Sequence, residues 1–196
     1  MIHEFSKDIL LVEDGVFDTT LLTSISNYIS EQFVNYNDTY LTVDSRLFPF
    51  VNQVLPTLNA LLYNYCDYKK VDASRLKLRN FQMGNLKAYS KELMNENLYE
   101  PHDDIGEKYY VAAIVYINSE YTDENWIGGE LTLYKNTTYL DYPNNITNVR
   151  PLKNRVVFFP GYYVHRVKPY FGKQPRQTIV FGWEIDDKWE SKPVLL

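Results

Sequence analysis

From Leu76 onward the chain breaks into short strand-like runs separated by turn residues, and this texture limits its possible folds more than any other feature. The runs are Leu76 to Gln82, Tyr109 to Asn118, Glu130 to Tyr134, Arg155 to Phe159, Tyr162 to Val167 and Gln177 to Ile185. They are rich in β-branched, aromatic and aliphatic residues, while Gly128-Gly129, Pro160-Gly161 and the polar stretch from Lys168 to Pro175 supply reversals. Several short strands joined in this way predict a double-sheet barrel or jelly roll.

The preceding residues carry a different period. Residues 4 to 12 suit a leading strand. Asp18-Thr19-Thr20 then opens a segment with apolar residues at Leu21, Leu22, Ile25, Tyr28, Ile29 and Phe33, which is helical spacing. A second helix is expected from about Arg46 to Tyr68, where Phe48, Val51, Val54, Leu55, Leu58, Leu61 and Leu62 recur every three or four positions. Pro49 suits its first turn, and Pro56 should kink it. The expected class is therefore α+β, with N-terminal helices supporting a jelly-roll core. The 196 residues, 45% hydrophobic, suffice for one domain with a sizeable core and not for two. Its expected parts are a mainly helical support (1–75), the jelly roll (76–186) and a C-terminal tail (187–196).

With 20 basic against 25 acidic residues the formal charge is −5, so no broad attraction to phosphate backbones or anionic membranes is expected. The apolar run Val111 to Ile117 is far shorter than the roughly 20 residues that span a bilayer. The N-terminus has no basic region followed by an apolar stretch and cleavage site. Cys66 is the only cysteine, which excludes an internal disulfide and a cysteine-based cluster. A cytoplasmic location is the expectation.

Only three histidines occur, and two of them stand in the β-rich half. In His102-Asp103-Asp104 an extended backbone points His102 and Asp104 the same way and Asp103 the other. Taken alone, this tripeptide is common by chance and reads equally as a surface turn. His165 lies on a strand that follows a tight turn, in Arg155-Val-Val-Phe-Phe-Pro-Gly-Tyr-Tyr-Val-His165, so its imidazole is delivered from a rigid element. Its bland alternative is a hydrogen-bonded core histidine. Two imidazoles and one carboxylate can occupy one face of an octahedral metal and leave the other open, the arrangement of non-haem Fe(II) oxygenases. His3, near the terminus, has no such company.

At this point the chain resembles the 2-oxoglutarate and Fe(II)-dependent dioxygenases, in particular their prolyl 4-hydroxylase-like branch. The resemblance covers about residues 76 to 186. It rests on His102-Asp103-Asp104, Trp126-Ile-Gly-Gly-Glu-Leu131, Val156-Val-Phe-Phe-Pro-Gly161, His165-Arg-Val-Lys-Pro169 and Arg176-Gln-Thr-Ile-Val-Phe-Gly-Trp183 taken as a set. It implies a double-stranded β-helix of the cupin-like kind, with Fe(II) held by His102, Asp104 and His165. The cosubstrates would be 2-oxoglutarate and O2, with ascorbate as an accessory reductant.

The resemblance further implies a basic residue after the second histidine that grips the far carboxylate of 2-oxoglutarate. Arg176 matches best, and a guanidinium can bind a carboxylate through two parallel bonds. It stands eleven positions after His165, slightly beyond the family's usual interval, which leaves Lys173 as a rival. Arg166, adjacent to His165 in a strand, should point to the opposite face. Tyr116 falls where the family often places a tyrosine on the same carboxylate, although 18 tyrosines make coincidence a serious competitor. Gln82 and Tyr109 are further residues that could face the pocket.

The implied reaction converts 2-oxoglutarate to succinate and CO2 and hydroxylates an unactivated carbon, with a prolyl or other side chain of a peptide or protein as the leading substrate. The alternatives are a free amino acid or small metabolite, and a non-catalytic metal-binding jelly-roll module. A nucleic-acid demethylase is disfavoured, because that branch carries a second arginine six positions after the first, where this chain has Gly182. No nucleic-acid or membrane partner is expected. The polar segments 88–100 and 136–150 are expected to be loops around the pocket mouth.

Overall fold

The computed structural model describes residues 11–34, 40–86, 101–103, 110–119, 128–134 and 146–185. Their order is β1 (Leu11–Asp14), α1 (Thr19–Gln32), β2 (Tyr40–Val43), α2 (Val51–Lys69), β3 (Leu76–Leu86), β4 (Val111–Asn118), β5 (Leu131–Tyr134), β6 (Ile146–Val149), β7 (Arg155–Pro160), β8 (His165–Val167) and β9 (Arg176–Ile185). Single turns of 3-10 helix precede α2 and β3. The strands form a major sheet in the order β1-β7-β4-β9-β3-β2 and a minor sheet in the order β6-β5-β8. Every strand pairing is antiparallel. Two antiparallel sheets with helices packed on one of them are a double-stranded β-helix with N-terminal support.

The two faces of the major sheet do different work. On β4, Val111, Ala113, Val115 and Ile117 pack with Ile25 and Ile29 of α1 and with Leu58, Leu62 and Tyr65 of α2. The alternate residues Ala112, Ile114 and Tyr116 face inward and join Leu131, Leu133 and Val149 of the minor sheet in a second core. A strand apolar on both faces is what a sheet covered by helices on one side and a second sheet on the other requires.

Helix α1 begins where Asp18 accepts from the backbone N–H of Thr20 at 2.7 Å and of Leu21 at 3.3 Å, satisfying donors left open at a helix start. Buried Gln177 of β9 ties the helix down, accepting from the Ser26 hydroxyl and donating to the Ser30 hydroxyl at 2.9 Å and the Ser26 carbonyl at 3.2 Å.

Several expectations need correction. Helix α2 starts at Val51, after Pro49 rather than through it, and continues as one helix past Pro56. Tyr40–Val43, unassigned from sequence, is the edge strand β2. The segment 136–150 is not all loop, because Ile146–Val149 pairs with β5; the buried Val149 of this strand is the apolar anchor that an Asn-rich context concealed. The strand expected over Tyr162 to Val167 shortens to β8, since 161–163 form the turn. Residues 88–100, and Tyr109 with them, lie outside the described residues.

Candidate active site

His165 sits on the inner minor-sheet strand edge opposite Leu133 and is buried, 7% exposed. His102 lies directly across from it in an isolated antiparallel bridge, with both backbone hydrogen bonds made: His102 N–H to the His165 carbonyl at 2.9 Å, and His165 N–H to the His102 carbonyl at 2.7 Å. Residues paired in this way project to the same face, and the two imidazole centroids are 4.5 Å apart. His102 is exposed, so the pair opens to solvent on that side. Asp103 is exposed as well. Asp104 lies outside the described residues, and among the described residues no third carboxylate, thiol or imidazole completes a cluster with the two histidines.

The His165 ring is oriented by its neighbours. Its Nδ1 is 2.9 Å from the Tyr163 carbonyl oxygen, and Phe159 meets it edge-on at 5.0 Å. Burial, and secondarily the charge of His102, pushes its pKa down to about 4, so the ring is neutral at physiological pH. A neutral imidazole with Nδ1–H fixed on a carbonyl leaves Nε2 as an electron-pair donor, the form a metal ligand takes.

Deeper in the barrel the interior turns polar along a single rung of the major sheet. Asp14 pairs with Arg155, Arg155 with Tyr116, Tyr116 with Thr178, Thr178 with Gly84 and Gly84 with Tyr40, across all six strands. The next rung toward the histidines, Val12, Val157, Ile114, Val180, Gln82 and Thr42, is apolar over its first four strands. Arg155, 4% exposed, is neutralised by Asp14 through two contacts of 2.6 and 2.7 Å.

Arg176 has no carboxylate partner among the described residues. It begins β9 one rung beyond Thr178, is 1% exposed, and has no hydrogen-bond partner for Nε or Nη1 among the described residues. Its guanidinium carbon lies 5.0 Å from the centroid of the Tyr116 ring. The Tyr116 hydroxyl is buried beside it, and burial raises its pKa while the charge of Arg176 and its approach to the hydroxyl pull the other way. A buried cation with two N–H groups unpartnered among the described residues is costly unless an anion completes it.

Gly129 makes room for this arginine. Its φ is +79°, and a methyl group there would come within 3.0 Å of Arg176 Cδ and of the Tyr170 ring. Its neighbour Gly128, φ +77°, allows the close crossing of Pro169, whose oxygen would be 1.9 Å from such a methyl. The Gly-Gly pair read from sequence as a turn is thus the floor beside the guanidinium. Lys173, the rival, is exposed; Arg166 pairs with Thr132 at the alternate position of β8, and Gln82 faces the interior. The sequence reading missed Tyr40, Gly84 and Thr178, whose only local signal was a glycine inside a strand.

The fold is that of the double-stranded β-helix class. The family model for the 2OG-Fe(II) oxygenase superfamily matches residues 86–184, and the chain belongs to that superfamily. Its metal is accordingly Fe(II) and its cosubstrates are 2-oxoglutarate and O2. The paired histidines and the uncompensated arginine fit such a set on chemical grounds. A search of curated protein sequences finds no match. Among solved structures, a prolyl-4-hydroxylase from Pseudomonas putida superposes with a TM-score of 0.63 at 14% identity, covering 91% of this chain and 88% of its own. The viral collagen prolyl hydroxylase of Paramecium bursaria Chlorella virus-1, in complex with 2-oxoglutarate, gives 0.61 at 15%, with 91% and 96% covered. The α-ketoglutarate-dependent epimerase SnoN of nogalamycin biosynthesis gives 0.65 at 14%, with 91% and 79% covered. Among the described residues no helix is long and apolar enough to cross a membrane.

Proposed function

We propose that this dioxygenase hydroxylates a side chain of a peptide or protein, with proline the leading target, and that His102, Asp104 and His165 hold its iron. The observation that carries the reading is the asymmetry of the histidine pair: His165 is buried in the barrel while His102 is exposed at its mouth. A site open on that side can receive one side chain of a substrate too large to enter whole. The prolyl hydroxylases among the structural relatives support the same class.

When bound, iron with 2-oxoglutarate and O2 supplies the oxidising power for attack on an unactivated carbon. The chain's own residues do the positioning. His165, neutral and held by the Tyr163 carbonyl, offers Nε2 at a fixed angle. Arg176 balances the far carboxylate of 2-oxoglutarate, and the Tyr116 hydroxyl donates to it. The apolar rung of Val12, Val157, Ile114 and Val180 keeps water from the space between.

The test is a screen of proline-containing peptides with Fe(II) and 2-oxoglutarate, reading succinate release alongside a 16-dalton gain on the peptide. Coupled release and gain support the reading. Succinate production stimulated only by free amino acids or small metabolites would replace it with the second substrate class.

A further inference from the structure

We propose that Tyr40, seated against Gly84, is the specificity-determining residue that limits the length of the 2-oxoacid cosubstrate. The inference rests on the reading of Arg176 as the carboxylate-binding residue and adds a function for a strand outside the family match, which begins at residue 86.

Gly84 stands within β3, three residues from its end, with an ordinary strand φ, so its backbone torsions do not call for glycine. Space does. A methyl group at Gly84 would lie 2.5 Å from Thr178 Oγ1 and 2.9 Å from Tyr40 Cε1. The threonine hydroxyl and the tyrosine ring have moved into the volume that a side chain would fill. Glycine within a strand marks such a close approach.

The ring covering this gap could have been any apolar filler, but its surroundings are polar. Tyr40, Thr178 and Tyr116 share one rung of the interior, and Arg176 is the next inward residue of β9. Thr178 and Tyr116 are fully buried, and Tyr40 is half-buried at the sheet edge. The Tyr40 hydroxyl is near enough to Tyr116 to oppose ionisation of its phenol. The anion gripped by Arg176 is therefore bounded by Thr178 on the same strand, by Tyr116 on the neighbouring β4 and by the Tyr40 ring beyond Gly84. A ring held there leaves no room for an additional methylene between the 2-oxo end and the far carboxylate.

The experiment is anaerobic calorimetric titration of the Fe(II)-loaded protein with 2-oxoglutarate and with 2-oxoadipate, which is one methylene longer. Tyr40→Leu should lower the ratio of the two Kd values, 2-oxoadipate over 2-oxoglutarate, by about tenfold, the scale of discrimination over one methylene. Gly84→Ala, which drives the ring and the Thr178 hydroxyl into the pocket, should raise that ratio; it serves as the independent variant if Tyr40→Leu fails to fold. Arg176→Gln separates the two layers of the inference. If it weakens both acids while the Tyr40 and Gly84 variants leave the ratio unchanged, the length limit is wrong and the pocket stands. If it weakens neither, the pocket itself is misplaced and the proposal falls with it.

Discussion

The Tyr163 carbonyl oxygen lies 2.9 Å from Nδ1 of His165, two residues along the same turn, and this contact decides which face of the imidazole is available for chemistry. A carbonyl can only accept, so the ring proton is on Nδ1 and the lone pair is on Nε2. The turn signal Pro160-Gly161 in the sequence is what brings the Tyr163 carbonyl under the ring.

Burial of this neutral ring has a pH signature. An ordinary imidazole takes its proton near 6.5, whereas His165 resists to about 4. Between these values the unfolded chain binds more protons than the folded one, so stability falls as pH drops through 6.5 and this loss ends near 4. Urea unfolding of the metal-free protein at pH 7 and pH 5 should show the wild type losing roughly 2 kcal/mol more than His165→Gln. Equal losses would mean that the ring is solvated or charged in the native state.

Arg176 should weaken the protein that it equips. Without 2-oxoglutarate it is a buried cation whose Nε and Nη1 have no hydrogen-bond partner among the described residues. Arg176→Met is expected to leave the melting temperature unchanged or raise it, and to weaken 2-oxoglutarate binding by about 30-fold or more. Arg176→Lys should retain part of the binding, because a point charge replaces a fork. A marked loss of stability in Arg176→Met would instead assign the arginine a structural ion pair.

The two adjacent glycines should respond differently. Gly128→Ala places a methyl 1.9 Å from a backbone oxygen that cannot yield, at φ +77°. It should cost about 3 kcal/mol or more in thermal unfolding. Gly129→Ala meets side-chain atoms at 3.0 Å and should cost about 1–2 kcal/mol, but with a disproportionate loss of 2-oxoglutarate affinity as Arg176 is displaced.

Asp14 and Arg155 form the charge pair that is satisfied within the interior rung. Asp14→Asn leaves Arg155 buried and uncompensated, at a cost of about 3 kcal/mol. The double variant Asp14→Leu with Arg155→Met should recover much of that stability, whereas additive losses would show that the two residues act independently.

What was legible in the chain follows from the range of the interactions concerned. Strands β4 and β7 carry apolar runs, Val111 to Ile117 and Val156 to Phe159, β9 has Ile179 to Phe181 at its centre, and α1 carries both its period and its Asp18 cap, so local pattern suffices for them. Strands β2 and β6 have four residues each and bury little, so their identity comes from partners, β3 and β5, that the sequence does not align with them. The histidine pair was legible because few histidines exist and both flank strong strands. The polar rung was not. Asp14 and Arg155 are 141 residues apart, and Tyr40 and Thr178 both close over Gly84 because it has no side chain. Alternation tells which residues share a face, but only register tells which share a rung.

The central claim is that His102, Asp104 and His165 together hold iron in a form that accepts 2-oxoglutarate. It is tested most directly by anaerobic absorption spectroscopy of the Fe(II) protein on addition of 2-oxoglutarate, comparing wild type with His102→Ala, Asp103→Ala and Asp104→Ala. A visible metal-to-ligand charge-transfer band that survives in Asp103→Ala and vanishes in the other two is the expected result. A band that persists without Asp104, or one that disappears without Asp103, would contradict the assignment of the carboxylate ligand.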